Sequence, residues 1–428
     1  MAATVLQYAT RGLNNLEFHS QPWLRVLSFT SVTTLLLLSC VPPLHVPVRN
    51  LLRPTVVYHV ERGLLRVHQA QRFEHWFLTL LFDLSSRTVS VPFYITFLPS
   101  LIWSGEAELG IRLVLLMGLC LYVGNAMKDL LSAPRPFGAQ YKGNQVKLIG
   151  PTKLEANINA QEYGLPSSHT MNSLCLNFFI VHYLLDKHMV PAEWALAMYL
   201  GTAVWVAWVG LARVYMGLHT PIDIGAGALL GTLVLVFYLA VDERYEQWIL
   251  TEPLAVLWQV LASIVFLRLH PKPLRHTPSY EFTTSFGGVC WGIVAGVSRQ
   301  WRMYSQNTPG RFLQIIQSRA GVMALIQRVA VGFVLVIIMK PLSKQIVVKV
   351  LPLVYLVVPV TLRKLWQPPL HSMKPPKHEG IPVDEDGQPW DVAVTARFIS
   401  YATIGWTVVD LSPVVFELLR LSVLNDKS

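Results

Sequence analysis

ARVYMGLHTPID, Ala212 to Asp223, stands where one long apolar run, Ala192 to Val214, gives way to the next, Ile222 to Val241. Two companions occupy similar borders. KDLLSAPRP (Lys128 to Pro136) follows the apolar run Ile111 to Met127, and PSSH (Pro166 to His169) precedes the run Thr170 to Leu185. Cations, imidazoles and a carboxylate are costly to hold beside membrane-spanning segments, so their presence there marks a working site. From the three strings, three cations, two histidines and the carboxylate of Asp223 form one candidate set.

The rest of the chain fits a bilayer as solvent. Of 428 residues 53% are hydrophobic and only 14% charged, with a mean hydropathy of +0.43. A water-soluble protein of this size does not hide so much apolar surface. The apolar runs predict an all-α, polytopic membrane bundle of about eight to ten transmembrane helices. Three regions follow from their spacing: 1–76 with the first span, 77–245 with the three strings, and 246–428 with the later spans. Arg49, Arg53, Arg62, Arg66 and Arg72 interleave with Leu and Val over Arg49 to Arg72, which reads as a basic helix lying in the membrane interface. Gln367 to Asp391, rich in Pro, Gly and acids, reads as an exposed loop. The net charge of +10 is scattered among the apolar runs. No nucleic-acid motif accompanies it, so the expected partner is the bilayer and not a nucleic acid. The four cysteines match neither a disulfide framework nor a zinc site.

Counting spans puts the three strings together. The run after His169 crosses the bilayer to about Asp186, turns through Lys187 to Glu193, and crosses back to Arg213. Two crossings separate the second string from the third, so all three share one membrane face. Local chemistry sharpens the meeting point. Thr220, Pro221 and Asp223 have the N-cap, N1 and N3 preferences of a helix start. Ser167 or Ser168 can cap the helix that follows. Both helix N-termini then offer free N–H groups and a positive dipole end to an anion.

Each residue also has a plainer explanation. Taken alone, each of Lys128, Arg135 and Arg213 reads as a side chain reaching for the membrane surface, and Asp223 serves as a capping acid whatever else it does. Prolines 134 and 136 stiffen the turn around Arg135, and the planar fork of an arginine suits phosphate. Asp223, four residues after His219, is spaced to orient its imidazole. His182 and His188 lie at the far end of their helix and are read as structural. The set is that of a metal-free phosphate-transfer site: no acidic cluster to hold a metal is visible, and no cofactor is expected. An anion transporter is the non-enzymatic alternative, since it too places cations near helix ends. It has no need of His219 paired with Asp223 plus a second histidine.

K-x6-R-P, P-S-x-H and R-x5-H-x3-D, in that order, resemble the three signature motifs of the type 2 phosphatidic acid phosphatase superfamily. KDLLSAPRPF, EYGLPSSHTMNSLCL and GLARVYMGLHTPIDIGAG look closest to its sphingosine-1-phosphate phosphatase branch, including the plant-type long-chain-base-phosphate phosphatases. The likeness covers most of Val89 to Val241 and, more weakly, the C-terminal part. Two positions depart from the broad pattern: Ser168 stands for a usual Gly and Ala212 for a usual Ser. The resemblance implies His219 as nucleophile, Asp223 as its orienting acid and His169 as general acid and base. Lys128, Arg135, Ser167, Ser168 and Arg213 are implied as phosphate holders. It implies a sphingoid-base phosphate as substrate, ahead of phosphatidate, lysophosphatidate, isoprenoid pyrophosphates or sugar phosphates. It also implies the lumenal side of the endoplasmic reticulum for the site, whereas the lysines Lys142, Lys147 and Lys153 on the site's face would by themselves favour the cytoplasm. Oligomeric state is not specified.

Overall fold

A computed structural model describes residues 22–141, 143–150, 161–300, 310–359 and 390–421. Lys142 and Lys153 lie outside these residues, as does the predicted Gln367 to Asp391 loop up to 389. In chain order the helices are α1 (Pro22–Cys40), α2 (Pro42–Gln71), α3 (Trp76–Arg87), α4 (Val91–Trp103) and α5 (Ala107–Leu131). A small antiparallel hairpin follows, β1 (Gln140–Tyr141) with β2 (Asn144–Gln145). Then come α6 (Ser168–Asp186), α7 (Ala195–Tyr215), α8 (Pro221–Leu239), α9 (Asp242–Thr251), α10 (Ala255–Arg268) and α11 (Ser279–Arg299). The last are α12 (Arg311–Ile316), α13 (Arg319–Val357), α14 (Trp390–Trp406) and α15 (Ser412–Leu418).

Among the described residues five helices are long and apolar enough to cross a membrane: α5, α7 with its lead-in turn, α8, α13, and the stretch Asp391–Leu418. A sixth results if α1 and α2, bent by 108° at their junction, count as one span. The number is lower than the eight to ten expected because two apolar runs, α4 and α10, form short helices of 13 and 14 residues. α6 falls short for a different reason. Its sequence SHTMNSLCLNFFIVHYLLD carries many polar groups, and the residues from Thr170 to Leu176 are all buried. α6 packs against both α7 and α8. Helix-facing positions of this kind need not be lipophilic.

The chain divides into two compact units. One takes the described residues up to Tyr94, then Leu119–Asp242 and Pro271–Ser279; the other takes Ile95–Gly118, Glu243–His270 and the residues from Tyr280 on. In the first unit α6, α7 and α8 form the centre, α3 lies on α7, and α1 and α2 lie on α8. Apolar clusters fill the ends: Phe82, Ile149, Ala212, Tyr215, Met216 and Leu218 in one, Leu131, Ala133 and Leu165 in another. In the second unit Trp103 donates its indole N–H to Val408 O at 3.0 Å. Glu106 accepts from the Gly310 and Phe312 N–H groups and so caps α12. A π-helical turn, Thr407–Leu411, carries the buried Asp410 to Arg299 and Gln300.

Two of the arginines of α2 find partners within the protein. Arg49 is buried; its Nε donates to Leu130 O at 2.7 Å and its NH2 to Asp129 O at 3.0 Å and to Lys272 O. Arg53 Nε donates to Ser132 O at 3.2 Å. The last carbonyls of a helix lack intrahelical donors and sit at the negative dipole end, so two arginines of α2 cap α5. Arg62 and Arg66 remain exposed.

Candidate active site

α5 places Lys128 in its last turn, and the chain then enters the proline-flanked turn holding Arg135. α6 starts at Ser168 with Ser167 as N-cap, its Oγ accepting from Thr170 N at 3.4 Å and from Thr170 Oγ1 at 3.1 Å. A hydroxyl that accepts twice still has its own hydrogen to donate. α7 ends with Arg213 in its last turn. Leu218 N and His219 N both return to Arg213 O, at 3.1 and 3.3 Å. That tight return passes through Gly217, at φ 77° and so close to Lys147 O that a Cβ would collide with it. Only glycine accepts both conditions cheaply.

The third string closes as a cap, as its sequence predicts. The Asp223 carboxylate accepts from Thr220 N at 2.7 Å and from Thr220 Oγ1 at 3.0 Å. Ser167 N donates to Asp223 O at 3.0 Å, which ties the start of α6 to the start of α8. Gly227 lets the two approach, since a Cβ there would stand 2.6 Å from Ser167 O. The two helix N-termini expected to meet do meet.

The charged side chains converge on this junction, and almost all are buried. His219 and Asp223 are 1% and 0% exposed. Asp223 Oδ2 lies 3.7 Å from His219 Nδ1. That is adjacent but beyond hydrogen-bond range, and neither Nδ1 nor Asp223 Oδ1 has a hydrogen-bond partner among the described residues. Contacts between an imidazole and an orienting acid commonly tighten when substrate binds. On the other side of the ring, His219 Nε2 is 3.3 Å from Arg135 NH1, which also donates to Leu218 O. One imidazole nitrogen thus faces the acid and the other faces the cations. The charges of Arg213, Lys128 and Arg135 all reach His169, in the first turn of α6.

Burial, and then the nearby Arg135, Arg213 and Lys128, hold His219 well below the usual imidazole range. It is therefore a neutral base at pH 7, and in the Nδ1–H tautomer its Nε2 lone pair faces Arg135 NH1. Burial also lowers Arg135, against the pull of Glu162 and Asp223, but a guanidinium starts too high to lose its charge. Among the described residues no three His, Cys, Asp or Glu side chains converge as metal ligands would.

Every residue singled out in the three strings is at this junction. Ser168 is the first residue of α6 and is partly exposed. Ala212, where the broad pattern has serine, is buried in the apolar cluster with Phe82 and Tyr215. A hydroxyl there would need a partner within that cluster. Two contributors escaped the sequence reading. Glu162, four residues before Pro166, accepts Lys128 Nζ at 2.5 Å and Arg135 NH2 at 3.2 Å on one oxygen. Its backbone O also accepts Arg135 Nε at 3.1 Å. The only signal was an acid four residues ahead of the second string. The segment Pro271–Ser279 is the other. Thr277 Oγ1 donates to Asp129 Oδ1 at 2.8 Å, Leu274 N to Ser132 Oγ at 3.2 Å, and Arg275 N to the Tyr163 hydroxyl at 2.9 Å.

Residues 109–246 match the PAP2 superfamily. Lipid phosphate phosphatase delta of Arabidopsis thaliana is 34% identical over 389 residues, which cover 87% of this chain and 91% of the relative. Sphingosine-1-phosphate phosphatase 2 of Mus musculus is 28% identical, covering 68% of this chain and 80% of its own. A dihydrosphingosine 1-phosphate phosphatase of Schizosaccharomyces pombe is 24% identical, covering 76% and 80%. A solved structure, the first transmembrane PAP2 type phosphatidylglycerolphosphate phosphatase from Bacillus subtilis, aligns with 46% of this chain and 94% of its own. That alignment has 19% identity and a TM-score of 0.37. The near full-length relative, the three motifs and the apolar helices agree, so the chain belongs to the PAP2 superfamily, as a multi-pass membrane lipid phosphate phosphatase related to the sphingosine-1-phosphate phosphatases.

Proposed function

We propose that the protein hydrolyses a sphingoid long-chain-base 1-phosphate to the free base and orthophosphate through a phosphohistidine on His219. The observation that carries this is the orientation of one ring: Nε2 toward buried Arg135, Nδ1 toward buried Asp223. The lipid's phosphate takes its place among Lys128, Arg135, Arg213, the Ser167 hydroxyl and the N–H groups at the start of α6. Its tail lies in the bilayer. His219 Nε2 attacks phosphorus and the bond to the ester oxygen breaks. Protonated His169, favoured by the adjacent phosphate charge, gives its proton to the departing alkoxide. Water then attacks the phosphohistidine while His169 takes up a proton, the P–N bond breaks, and orthophosphate leaves. Asp223 holds the Nδ1–H tautomer and stabilises the charge that develops on the ring. Phosphoryl transfer rests chiefly on such positioning and charge neutralisation, and the three cations supply it here. Activity is accordingly expected to persist in EDTA.

The names of two of the relatives support the sphingoid substrate, and the endoplasmic reticulum membrane with the site facing the lumen is proposed from the family resemblance of the three motifs. The test is phosphate release by detergent-purified protein from sphinganine 1-phosphate, phosphatidate and an isoprenoid pyrophosphate, alongside His219→Ala. Preference for the sphingoid substrate, loss of release in the variant, and an acid-labile, alkali-stable phosphate label on the wild-type chain are expected. Undiminished release by His219→Ala would overturn the mechanism.

A further inference from the structure

The Glu162 carboxylate occupies the place where a phosphate is needed. It accepts both Lys128 and Arg135, and one guanidinium links it to His219 Nε2, since Arg135 NH2 holds Glu162 and NH1 faces the imidazole. Its side chain is 14% exposed against 4% for each of its two cations, so it is the most open member of the cluster. Burial pushes its carboxyl up, but Lys128, Arg135 and Arg213 outweigh that and keep it below the ordinary range. It is an anion at any working pH.

An anion beside the phosphate holders has a charge consequence. Lys128, Arg135 and Arg213 against Glu162 and Asp223 leave one positive charge, the imidazoles counted neutral. Asp129, felt by Lys128, and Arg275, felt by Arg135, add one of each sign. A dianionic phosphomonoester with no other charge is balanced once His169 is protonated, but it would draw Lys128 and Arg135 from Glu162. A buried charge stripped of its partner is expensive. A substrate with an ammonium on the carbon next to the phosphate-bearing carbon answers this: Glu162 exchanges one cation for another.

Resting on the sphingoid-phosphate reading above, we propose that Glu162 is a specificity-determining residue whose carboxylate receives the substrate's ammonium while the phosphate takes over Lys128 and Arg135. The site thereby selects 2-amino-alkyl phosphates over N-acylated or amine-free lipid phosphates.

Three substrates of equal chain length test this on the full chain in detergent: sphinganine 1-phosphate, its N-acetyl derivative, and octadecyl phosphate. Wild type is expected to favour the free amine over each of the other two by about ten- to a hundredfold in kcat/KM, the worth of one charge-assisted hydrogen bond. In Glu162→Gln the two ratios fall to near one, and in Glu162→Asp they are partly kept. The readout is a ratio, so any loss common to all substrates cancels. Wild-type ratios near one overturn the assignment without any variant. Ratios that survive in Glu162→Gln, with all three rates lowered by one factor, overturn it too and leave Glu162 as a positioning residue for Lys128 and Arg135. The hydrolase reading fails separately. Octadecyl phosphate hydrolysed as fast as the amine, and dependent on His219, sinks only the role of Glu162. No hydrolysis of any of the three sinks both.

Discussion

His219 and His169, the two groups proposed to carry the chemistry, respond to different tests. An alkoxide leaves poorly without a proton, whereas an aryl oxide leaves well. His169→Ala should therefore lower kcat/KM on a lipid phosphate by about 10²–10⁴, the usual worth of a general acid, and lower it much less on p-nitrophenyl phosphate. Equal losses on both would remove His169 from the acid role. For His219 the prediction concerns pH. Its folded value lies well below 6.5 because of burial and three neighbouring cations. The neutral, attacking form stays fully populated as pH falls through 6.5 and disappears only near the lowered value. The acid limb of kcat/KM, corrected for substrate ionisation near about pH 6, should sit clearly below that of an ordinary histidine. The same sign holds for stability: the unfolded chain takes up a proton at His219 that the fold refuses, so stability falls as pH drops from 6.5 toward the lowered value. Most of this was legible because each residue's work is local. Thr220 and Asp223 are three apart and form a cap, and His219 and Asp223 are four apart and face one another. Glu162 was illegible because its partners stand 34 and 27 residues away, and no local pattern names them.

Helices show the same divide. The starts of α6 and α8 were readable from Ser167 and from Thr220-Pro221 because caps are written in short spacings. The role of α2 was not. Five arginines among Leu and Val look alike whether they face lipid head groups or, as with Arg49, three backbone carbonyls of other segments. α6 was read as an ordinary span, and its polar residues make sense only once α7 and α8 are seen on either side. Contact between α6 and α8 rests on the missing side chain of Gly227. Gly227→Val should force the Ser167 backbone away and cost about 1–3 kcal/mol, the range for overpacked interiors. Thermal unfolding in detergent would report it, with activity falling in parallel because Ser167 N is tied to Asp223 O. An unchanged melting temperature would mean that the two helix starts are not held as closely as 2.6 Å implies.

Across the whole molecule, the sequence predicts a polytopic helical bundle with its three strings on one face, and the described residues hold fewer long apolar helices than there are apolar runs, because runs do not announce where they break. A glycosylation acceptor inserted at the Gly143 turn, next to β2 and on the face of the site, should be modified in cells if that face is lumenal. Absence of modification, with a control acceptor in the Lys187 to Glu193 turn modified instead, would reverse the orientation. Thr277→Val removes a 2.8 Å donor from buried Asp129 and should lower stability by about 1–3 kcal/mol, even though it lies outside residues 109–246, which match the superfamily. That contact bears on how chains of this kind can be recombined. Residues 271–279 are separated from the three motifs by α9 and α10, yet they brace Asp129, Ser132 and Tyr163. A breakpoint placed after α8, the obvious seam for a chimera between two relatives, would bring in a stranger's support for the first motif. The working graft keeps 271–279 from the same parent as Lys128 to Pro136.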